Sequence, residues 1–486
     1  MLFSTFDYFV FLPLVATAHW VVGDNRWRTR IILAASAAFY LAWNPLDSFI
    51  LLYVGTAAFV SGRLLHAHPP AGTVVAETTG SAVAAVPAPR RQATGLPSPL
   101  WVAAFAILAP LLFYKYVHFG LTNLALLVPA IPVLPKQHLP IGISFYSFQA
   151  LAYVIDVRRG QAAERDPVRF ATFLCFFPHL VAGPILRAAN LLGQLGAARS
   201  LSRADVGYGV FRLCLGLAKK LLVADVLRVG VVDSVFTDPS AFTGPEILVA
   251  LYAYTLQIYC DFSGYTDFAI GSARLIGFSI PENFDRPYQA LSVANYWRRW
   301  HITLSDWVRD YVYYPLGGSR GAGIRPYINT MATLLILGTW HGANWTFIVY
   351  GALHGVAVSL NRLWKRRAGW VEPRGLGVAW RWLLTFQFIV TARILFRADD
   401  LDHAWRVWIA LGEKWEWAMP RYSYHAWAVL LVGYVVHLSP KRWMLRLREG
   451  FSLSSPVLWG LALAATAFVV VRFGVGDSLA FIYDSF

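Results

Sequence analysis

Apolar stretches long enough to cross a lipid bilayer recur along this chain from about residue 5 to residue 473. A helix needs about 20 apolar residues to span the hydrocarbon core, whereas a transmembrane strand needs about ten residues of alternating character. The runs here are continuous, so they predict helices. Hydrophobic residues make up 57% of the chain and charged residues only 14%, a composition foreign to soluble domains. The sequence therefore predicts an all-α, polytopic membrane protein with roughly 11–13 tilted or broken helices.

Thirteen apolar runs are candidate spans. They lie near residues 5–22, 31–43, 48–65, 100–117, 119–135, 139–156, 206–232, 246–275, 328–340, 342–363, 378–396, 424–438 and 456–473. The run 175–187 contains two prolines and predicts a broken or re-entrant element shielded by protein. The stretch 66–99, rich in Ala, Pro, Gly and Thr, predicts a flexible loop. We expect one membrane-embedded domain over 1–486, with this loop inserted and an exposed tail at 474–486.

The net charge of +15 arises from basic residues in short segments between the apolar runs. The main clusters are Arg26, Arg28 and Arg30, then Lys365, Arg366 and Arg367, then Lys441, Arg442, Arg446 and Arg448. Such segments mark the cytoplasmic side of a membrane protein. We therefore expect both termini to lie outside, and we expect no nucleic-acid partner.

A histidine interrupts one of the longest apolar runs. Residues 338–345 read GTWHGANW, within a run from about 327 to 360 that is too long for one span. Gly338 and Gly342 place the expected break at His341. From the residues alone, His341 is either a packed core histidine or the residue around which the span is built. Trp340 and Asn344 are candidate supporting residues, and Asn344 either orients the ring or satisfies the broken backbone.

The segment ANYWRRWHITLSDWVRDYVYYPLGGSR, residues 294–320, predicts an interfacial amphipathic helix. Its helical period places one set of side chains on the inward face: Trp297, Trp300, His301, Leu304, Trp307, Val308 and Tyr311. His301 is therefore a second candidate functional histidine, or a histidine donating to a backbone carbonyl. Four arginines lie off this face: Arg298, Arg299, Arg309 and Arg320. They are either membrane-surface anchors or ligands for the phosphates of a nucleotide-bearing donor.

Two acids lie in the apolar run YCDFSGYTDFAIG. A lone charge there costs about 2.5–3.5 kcal/mol, so Asp261 and Asp267 must be paired, hydrogen-bonded or in contact with water. We expect pairing with arginines of residues 298–309, with a catalytic role as the alternative. His354 lies between Gly351 and Gly355, a helix-packing pair, and is expected to be structural. The same holds for His19, His179 and His437.

Several reaction classes lack their motifs. The sequence has no H-E-x-x-H motif, P-loop or dinucleotide-binding glycine fingerprint, and its one G-x-S-x-G match, GGSRG at 317–321, follows a predicted helix and not the strand of a nucleophile elbow. These observations argue against a serine hydrolase, zinc protease or NTPase. Cys175, Cys214 and Cys260 are scattered without zinc spacing, so no metal site is expected. Acid–base chemistry by a histidine within the membrane is the reaction type that these exclusions leave. A neutral imidazole can accept a proton from a hydroxyl near pH 7.

Several motifs resemble the membrane-bound O-acyltransferase family, and within it the branch that acetylates bacterial polysaccharides. They are LPIGISFYSFQALAYVIDVRRG (139–160), FFPHLVAGPILR (176–187), YCDFSGYTDFAIG (259–271), PENFDRPY (281–288), YWRRWHITLSDWVRDYVYYPLGGSR (296–320) and LGTWHGANWTFIVYGALHG (337–355). The resemblance implies helices ringed around a thin core with a through-membrane tunnel. It implies that His341 is the catalytic histidine and that His301 is the second important one.

The C-terminal AFIYDSF places Phe481, Tyr483 and Phe486 in an F-x-Y-x-x-F arrangement similar to endings in this branch and in partners of teichoic-acid D-alanylation. Tyr483 is therefore a possible acyl carrier, although an aromatic tail also suits a membrane interface. The resemblance further implies a bacterial inner-membrane O-acetyltransferase, with acetyl-CoA as donor substrate and no bound cofactor. A periplasmic SGNH-type partner would deliver acetyl to an exported polysaccharide.

Two alternatives stay open from the sequence. One keeps acyl transfer but moves D-alanyl or another acyl group to a cell-wall polymer. The other is a transporter of a lipid or acyl-bearing molecule that performs no chemistry. The acceptor polymer and the oligomeric state are not indicated by the sequence.

Overall fold

The computed structural model describes residues 6–67, 98–197, 199–367, 374–416 and 421–473, and in these residues every regular element is helical. The first helices are α1 (Phe6–Val21), α2 (Asn25–Leu41), α3 (Asp47–Ala67), α4 (Ser98–Ala125), α5 (Ile143–Arg158), α6 (Pro167–Cys175) and α7 (Ala188–Leu195). Then come α8 (Arg203–Leu217), α9 (Asp225–Leu227), α10 (Asp233–Thr237), α11 (Gly244–Leu275), α12 (Val293–Trp297), α13 (Ile302–Val308) and α14 (Arg325–His341). The last are α15 (Trp345–Arg367), α16 (Leu376–Arg397), α17 (Leu401–Glu413), α18 (Tyr424–Leu438), α19 (Lys441–Leu453) and α20 (Pro456–Phe473). The all-α prediction is confirmed.

Three helices are long and apolar enough to cross a membrane on their own: Asp47–His66, Pro99–Ala125 and Leu376–Arg397. Shorter apolar helices lie within α1, α18 and α20. The predicted span 206–232 is interrupted by π-helical turns at Ala218–Ala224 and Arg228–Val232. Interrupted helices are tolerated at membrane depth where protein surrounds their backbone. The predicted loop and tail, 66–99 and 474–486, fall almost entirely outside the described residues.

One predicted span is wrong. Residues 119–135 do not form a helix of their own, because α4 continues to Ala125 and is followed by turns. Pro129, Pro132 and Pro135 explain the difference: each removes a backbone donor and clashes with the preceding turn of a helix. The predicted break at 175–187 is confirmed, since residues 176–187 are non-helical although Phe176, Phe177 and His179 are buried.

The chain divides into two compact units. One consists chiefly of Thr17–Val181 and Ile185–Ala198, and the other of Leu2–Ala16, Ala182–Pro184 and Arg199–Phe486. Every candidate site residue that the structure describes belongs to the second unit.

In the second unit, α14 and α15 form a hairpin whose contact depends on glycine. A Cβ at Gly338 would lie 2.9 Å from Gly351 Cα and would collide with the carbonyl oxygen of Phe347, and a Cβ at Gly351 would collide with that of Leu334. The chain leaves helical geometry at 342–344, directly after His341. The predicted break at His341 is therefore confirmed, and so is the packing role of Gly351.

The segment 294–320 is not one continuous amphipathic helix, which corrects the prediction. It forms α12, a turn, α13 and a π-helical stretch at Arg309–Tyr313. The turn is centred on His301, whose backbone lies in the left-handed region at φ 43° and ψ 58°. The reason is tertiary, because the carbonyl and side-chain oxygens of Asn283 accept the N–H groups of Ile302 and Thr303. All seven side chains of the predicted inward face are nevertheless buried.

Candidate functional site

His341 ends α14 and is 2% exposed. Aromatic rings enclose its imidazole: the centroids of Trp340 and Phe396 lie 5.1 Å away, and those of Phe347 and Tyr350 lie 6.4 Å away. The helix break after His341 removes the next helical turn, so the ring is held by side chains from α14, α15 and α16. This enclosure suits a base that must exchange a proton with a substrate and not with bulk water.

His301 is fully buried and is held by Asn283. Its Nδ1 lies 3.1 Å from Asn283 Oδ1, which also accepts the Thr303 backbone N–H at 3.1 Å and the Thr303 hydroxyl at 2.9 Å. Since a backbone N–H donates to this atom, it must be the amide oxygen, and His301 Nδ1 must donate to it. A neutral His301 therefore carries its lone pair on Nε2. This tautomer leaves Nε2 as the atom available for proton transfer.

Trp340 contacts both candidate histidines. Its ring centroid is 6.1 Å from that of His301 and 5.1 Å from that of His341. Phe262 of α11 packs edge-on against His301, with centroids 4.7 Å apart. The structure thus brings both candidate histidines, 40 residues apart in sequence, into contact with one indole.

Asn344 stabilises the break. Its side-chain oxygen accepts the Thr346 N–H at 3.0 Å, as a helix N-cap does, and its amide donates to the carbonyl of Asp399 at 2.6 Å. Of the two roles considered for Asn344, the structure therefore favours satisfying the backbone at the break over orienting the imidazole of His341.

The two apolar-run acids are paired, but with different partners from those predicted. Asp267 accepts from Arg212 at 2.8 Å and from Lys219 at 2.7 Å, and Asp261 accepts from Lys220 at 2.7 Å. These cations come from α8 and the following π-helical turns, not from residues 298–309. The expected pairing with arginines of residues 298–309 is therefore wrong. The helical period of a segment shows which of its own side chains are buried, but it does not show which distant residue pairs with a buried acid.

The four arginines differ in their environments. Arg309 is ion-paired with Asp306 at 2.5 Å and Asp310 at 2.8 Å. Arg299 donates to Asn295 Oδ1 and to the Asp285 carbonyl. Arg298 and Arg320 are exposed.

A basic neighbourhood surrounds Arg298. Partial burial lowers the pKa of Lys365, and the nearby positive charges of Arg298 and Arg381 lower it further. Three cations in one neighbourhood form a natural anion-binding surface. Arg298 is therefore part of a basic surface that also includes Lys365 and Arg381.

Two residues near the histidines escaped the sequence analysis. Asn283 lies in the motif PENFDRPY, but its contact with His301 spans 18 residues and has no local signal. Arg393, in α16, is buried and lies with its guanidinium carbon 5.2 Å from the ring centroid of Phe396, which in turn contacts His341. An arginine within an apolar span is a visible signal of function.

The four histidines that the sequence predicts to be structural are buried against neighbouring groups. His354 Nδ1 accepts the indole N–H of Trp297 at 3.2 Å, and His437 Nε2 accepts the Tyr288 N–H at 3.2 Å. His179 Nε2 lies 3.4 Å from the amide nitrogen of Gln149. His19 packs edge-on against Trp20, with ring centroids 5.0 Å apart. Tyr483, the possible acyl carrier, lies outside the described residues. Among the described residues, no cluster of His, Cys, Asp or Glu could hold a metal ion.

A helical membrane protein with two enclosed histidines that contact one indole has the features of a membrane acyltransferase. The chain belongs to the membrane-bound O-acyltransferase family, whose model matches residues 11–377. The protein is therefore an acyltransferase, and the non-catalytic transporter alternative is not supported.

Its relatives are named for the acylation of alginate, peptidoglycan and teichoic acid. The chain is 37% identical to the probable alginate O-acetylase AlgI of Azotobacter vinelandii, over 88% of this chain and 82% of the relative. It is 35% identical to the peptidoglycan O-acetyltransferase of Helicobacter pylori, over 61% of each chain. It is 26% identical to the teichoic acid D-alanyltransferase of Bacillus subtilis, over 55% of this chain and 73% of that protein.

Proposed function

We propose that this protein is the membrane O-acetyltransferase of an exported-polysaccharide system in a bacterial inner membrane. The observation that carries the proposal is the placement of His341 at a helix break, with both His341 and His301 in contact with Trp340. The relatives of highest identity given above support acetyl as the acyl group. D-alanyl transfer has weaker support, because the relatives of that name are only 26–28% identical.

In the proposed reaction, His341 is the general base. It removes the proton of an attacking hydroxyl as the oxygen bonds to the thioester carbonyl carbon of acetyl-CoA. The carbon–sulfur bond then breaks, and coenzyme A leaves as the thiol after taking up a proton. His301, with its lone pair on Nε2, positions a reacting group or moves the proton.

The test of this assignment is acetyl transfer by purified protein. We expect His341→Ala to abolish coenzyme A release from acetyl-CoA and acetylation of the polymer, while the amount of protein in the membrane stays normal. His425→Ala is the matched control, since His425 is an exposed histidine on α18. Acetylation retained by His341→Ala would exclude the catalytic role.

The donor is proposed to enter from the cytoplasmic side, where its phosphates meet the basic surface around Arg298. Arg299, Arg309 and Arg320 complete the predicted donor set, but the two acids beside Arg309 make it the weakest member. We expect Arg298→Glu to raise the KM for acetyl-CoA at least tenfold and Arg309→Gln to change it little. Equal effects of the two variants would contradict this site.

The acetyl group is proposed to pass through Tyr483 to a periplasmic SGNH-type partner, which acts on the polysaccharide. The hydroxyl of Tyr483 would attack the thioester and hold the acetyl group as a phenyl ester until it is transferred. Tyr483→Phe should then abolish polymer acetylation. Tyr424→Phe is the control, because Tyr424 is 95% exposed on α18. Unchanged acetylation by Tyr483→Phe would exclude the carrier role.

A further inference from the structure

Arg393 is a buried cation inside a helix that is long and apolar enough to cross a membrane. It lies in α16 and is 1% exposed. A buried ionised group carries a large desolvation penalty unless a partner of opposite charge offsets it. A fully buried guanidinium therefore requires an explanation from its surroundings.

The immediate surroundings of Arg393 are aromatic. Its Nη2 donates to the Tyr296 hydroxyl at 2.7 Å, and its guanidinium carbon lies 4.4 Å from the ring centroid of Trp300. The hydroxyl of Tyr288 also contacts the guanidinium, while Nε and Nη1 make no hydrogen bond of good geometry among the residues that the structure describes. Within the same described part of the chain, no carboxylate lies within ion-pairing distance. Cation–π contacts offset only part of the cost of burial.

The other two buried cations that the structure describes in this unit, Arg212 and Lys220, have carboxylate partners. Arg212 pairs with Asp267 and Glu282, with nitrogen–oxygen distances of 2.8–2.9 Å. Lys220 pairs with Asp225 and Asp261 at 2.7–2.8 Å. Carboxylates thus accompany the buried cations that hold α8 and α11 together. Arg393 has only neutral tyrosine and aromatic neighbours instead, so its charge is left to be offset by an anion that binds during function.

Arg393 lies close to the candidate histidine His341. The ring of Trp300, which precedes His301 in the chain, packs against its guanidinium. The ring of Phe396 lies 5.2 Å from the guanidinium carbon and 5.1 Å from the imidazole of His341. The guanidinium of Arg393 is therefore one aromatic ring away from the proposed general base.

We propose that Arg393 binds the oxygen anion of the acyl-transfer reaction, an inference that rests on the proposed function. As the hydroxyl oxygen bonds to the thioester carbon and its proton moves to His341, the carbonyl π electrons move to the oxygen. Arg393 stabilises this oxyanion, because charge–charge attraction is strong in an enclosed apolar site. The carbonyl then re-forms as the carbon–sulfur bond breaks.

The same chemistry could come from a permanent oxygen anion on the donor or acceptor, and kinetics separate the two sources. If the anion develops during the reaction, Arg393→Gln lowers kcat by about 10²–10³-fold and leaves KM nearly unchanged. If the anion is a permanent substrate group, the variant raises KM and leaves kcat nearly unchanged. Wild-type values for both constants would overturn the proposal.

Arg397→Gln is the matched control. Arg397 lies one turn further along α16 and is paired with Asp233 at 3.1 Å. We expect it to retain kcat and KM. An equal loss in both variants would indicate a general effect of removing charge from α16 and would overturn the role of Arg393.

Stability gives a readout that does not depend on activity. An anion-binding arginine destabilises the ligand-free protein, so Arg393→Met should have an equal or higher melting temperature in detergent. A lower melting temperature would show that Arg393 is a structural clamp and would overturn the proposal. If the wild-type protein transfers no acetyl group, the proposed function fails, while this measurement still reports on Arg393.

Discussion

The hydrogen bond from His301 to Asn283 shows how a single side chain sets the chemistry of another. Asn283 Oδ1 receives three donors, two of them from Thr303, so its orientation is determined without reference to the histidine. The left-handed backbone of His301 is uncommon for a residue other than glycine. Such conformations persist where the surrounding contacts hold them, and they concentrate at functional sites. Asn283 is thus a positioning residue.

Substitution of Asn283 separates positioning from folding. We expect Asn283→Ala to lower kcat by about 100-fold, because His301 loses its preferred tautomer. Asn283→Asp keeps an acceptor oxygen, but its carboxylate favours protonated imidazole, so the activity of this variant should recover as pH rises. The measurements are pH–rate profiles of acetyl transfer, with exposed Asn190→Ala as control. Wild-type profiles in both Asn283 variants would contradict the positioning role.

At the scale of elements, the α14–α15 hairpin positions His341. Glycines let the two backbones approach closely, and the break at 342–344 replaces what would be one long helix. Backbone contact of this kind leaves no side chain free to move aside. The location of His341 therefore depends on residues that carry no chemistry themselves.

A methyl group at this contact should displace the hairpin. We expect Gly351→Ala to destabilise the protein by about 1–3 kcal/mol, as overpacking does, and to reduce acetyl transfer. Gly460→Ala on α20 is the control, because a Cβ at Gly460 meets no atom within 4 Å. Thermal unfolding in detergent measures both variants. Equal melting temperatures for the two variants would show that the α14–α15 contact at Gly351 has room for a methyl group.

The α8–α11 contact depends on buried charge. Asp267→Asn leaves Arg212 and Lys219 without their shared carboxylate, although Glu282 remains on Arg212. Breaking a buried pair costs about 3–5 kcal/mol, whereas an exposed pair contributes about 0–1 kcal/mol. Asp402→Asn, in an exposed pair with Arg406, is therefore the control. The free energy of unfolding, measured by chemical denaturation, should fall much more in Asp267→Asn than in Asp402→Asn. Equal losses in the two variants would show that the ion pairs of Asp267 are solvated.

At the scale of the whole molecule, the distribution of basic residues predicts which segments face the cytoplasm. The clusters at 365–367 and 441–448 are expected inside, which places the loop between α16 and α17 and the α17 helix outside. Glu413→Cys should react with a membrane-impermeant maleimide in intact cells, whereas Arg446→Cys should react only after permeabilisation. Both positions are exposed. The reverse pattern would invert the proposed sidedness of donor and acceptor.

The sequence by itself determined the features that depend on local physics. Continuous apolar runs predict helices, the length of the run 327–360 predicts its break, and helical period identifies the buried side chains of 294–320. The error at 119–135 also concerns a local signal, because three prolines at 129, 132 and 135 prevent a helix there. The motifs also predict the family, and the match of the family model to residues 11–377 confirms it.

Only the tertiary structure decided which residues meet. The partners of Asp261 and Asp267, the bond from His301 to Asn283 and the placement of Arg393 join residues 18 to 97 apart in sequence. Apolarity and helical period act over a few residues, so they show that a buried charge needs a partner without naming it. The break at His301 has the same origin, since Asn283 takes the backbone donors that a continuous helix would use.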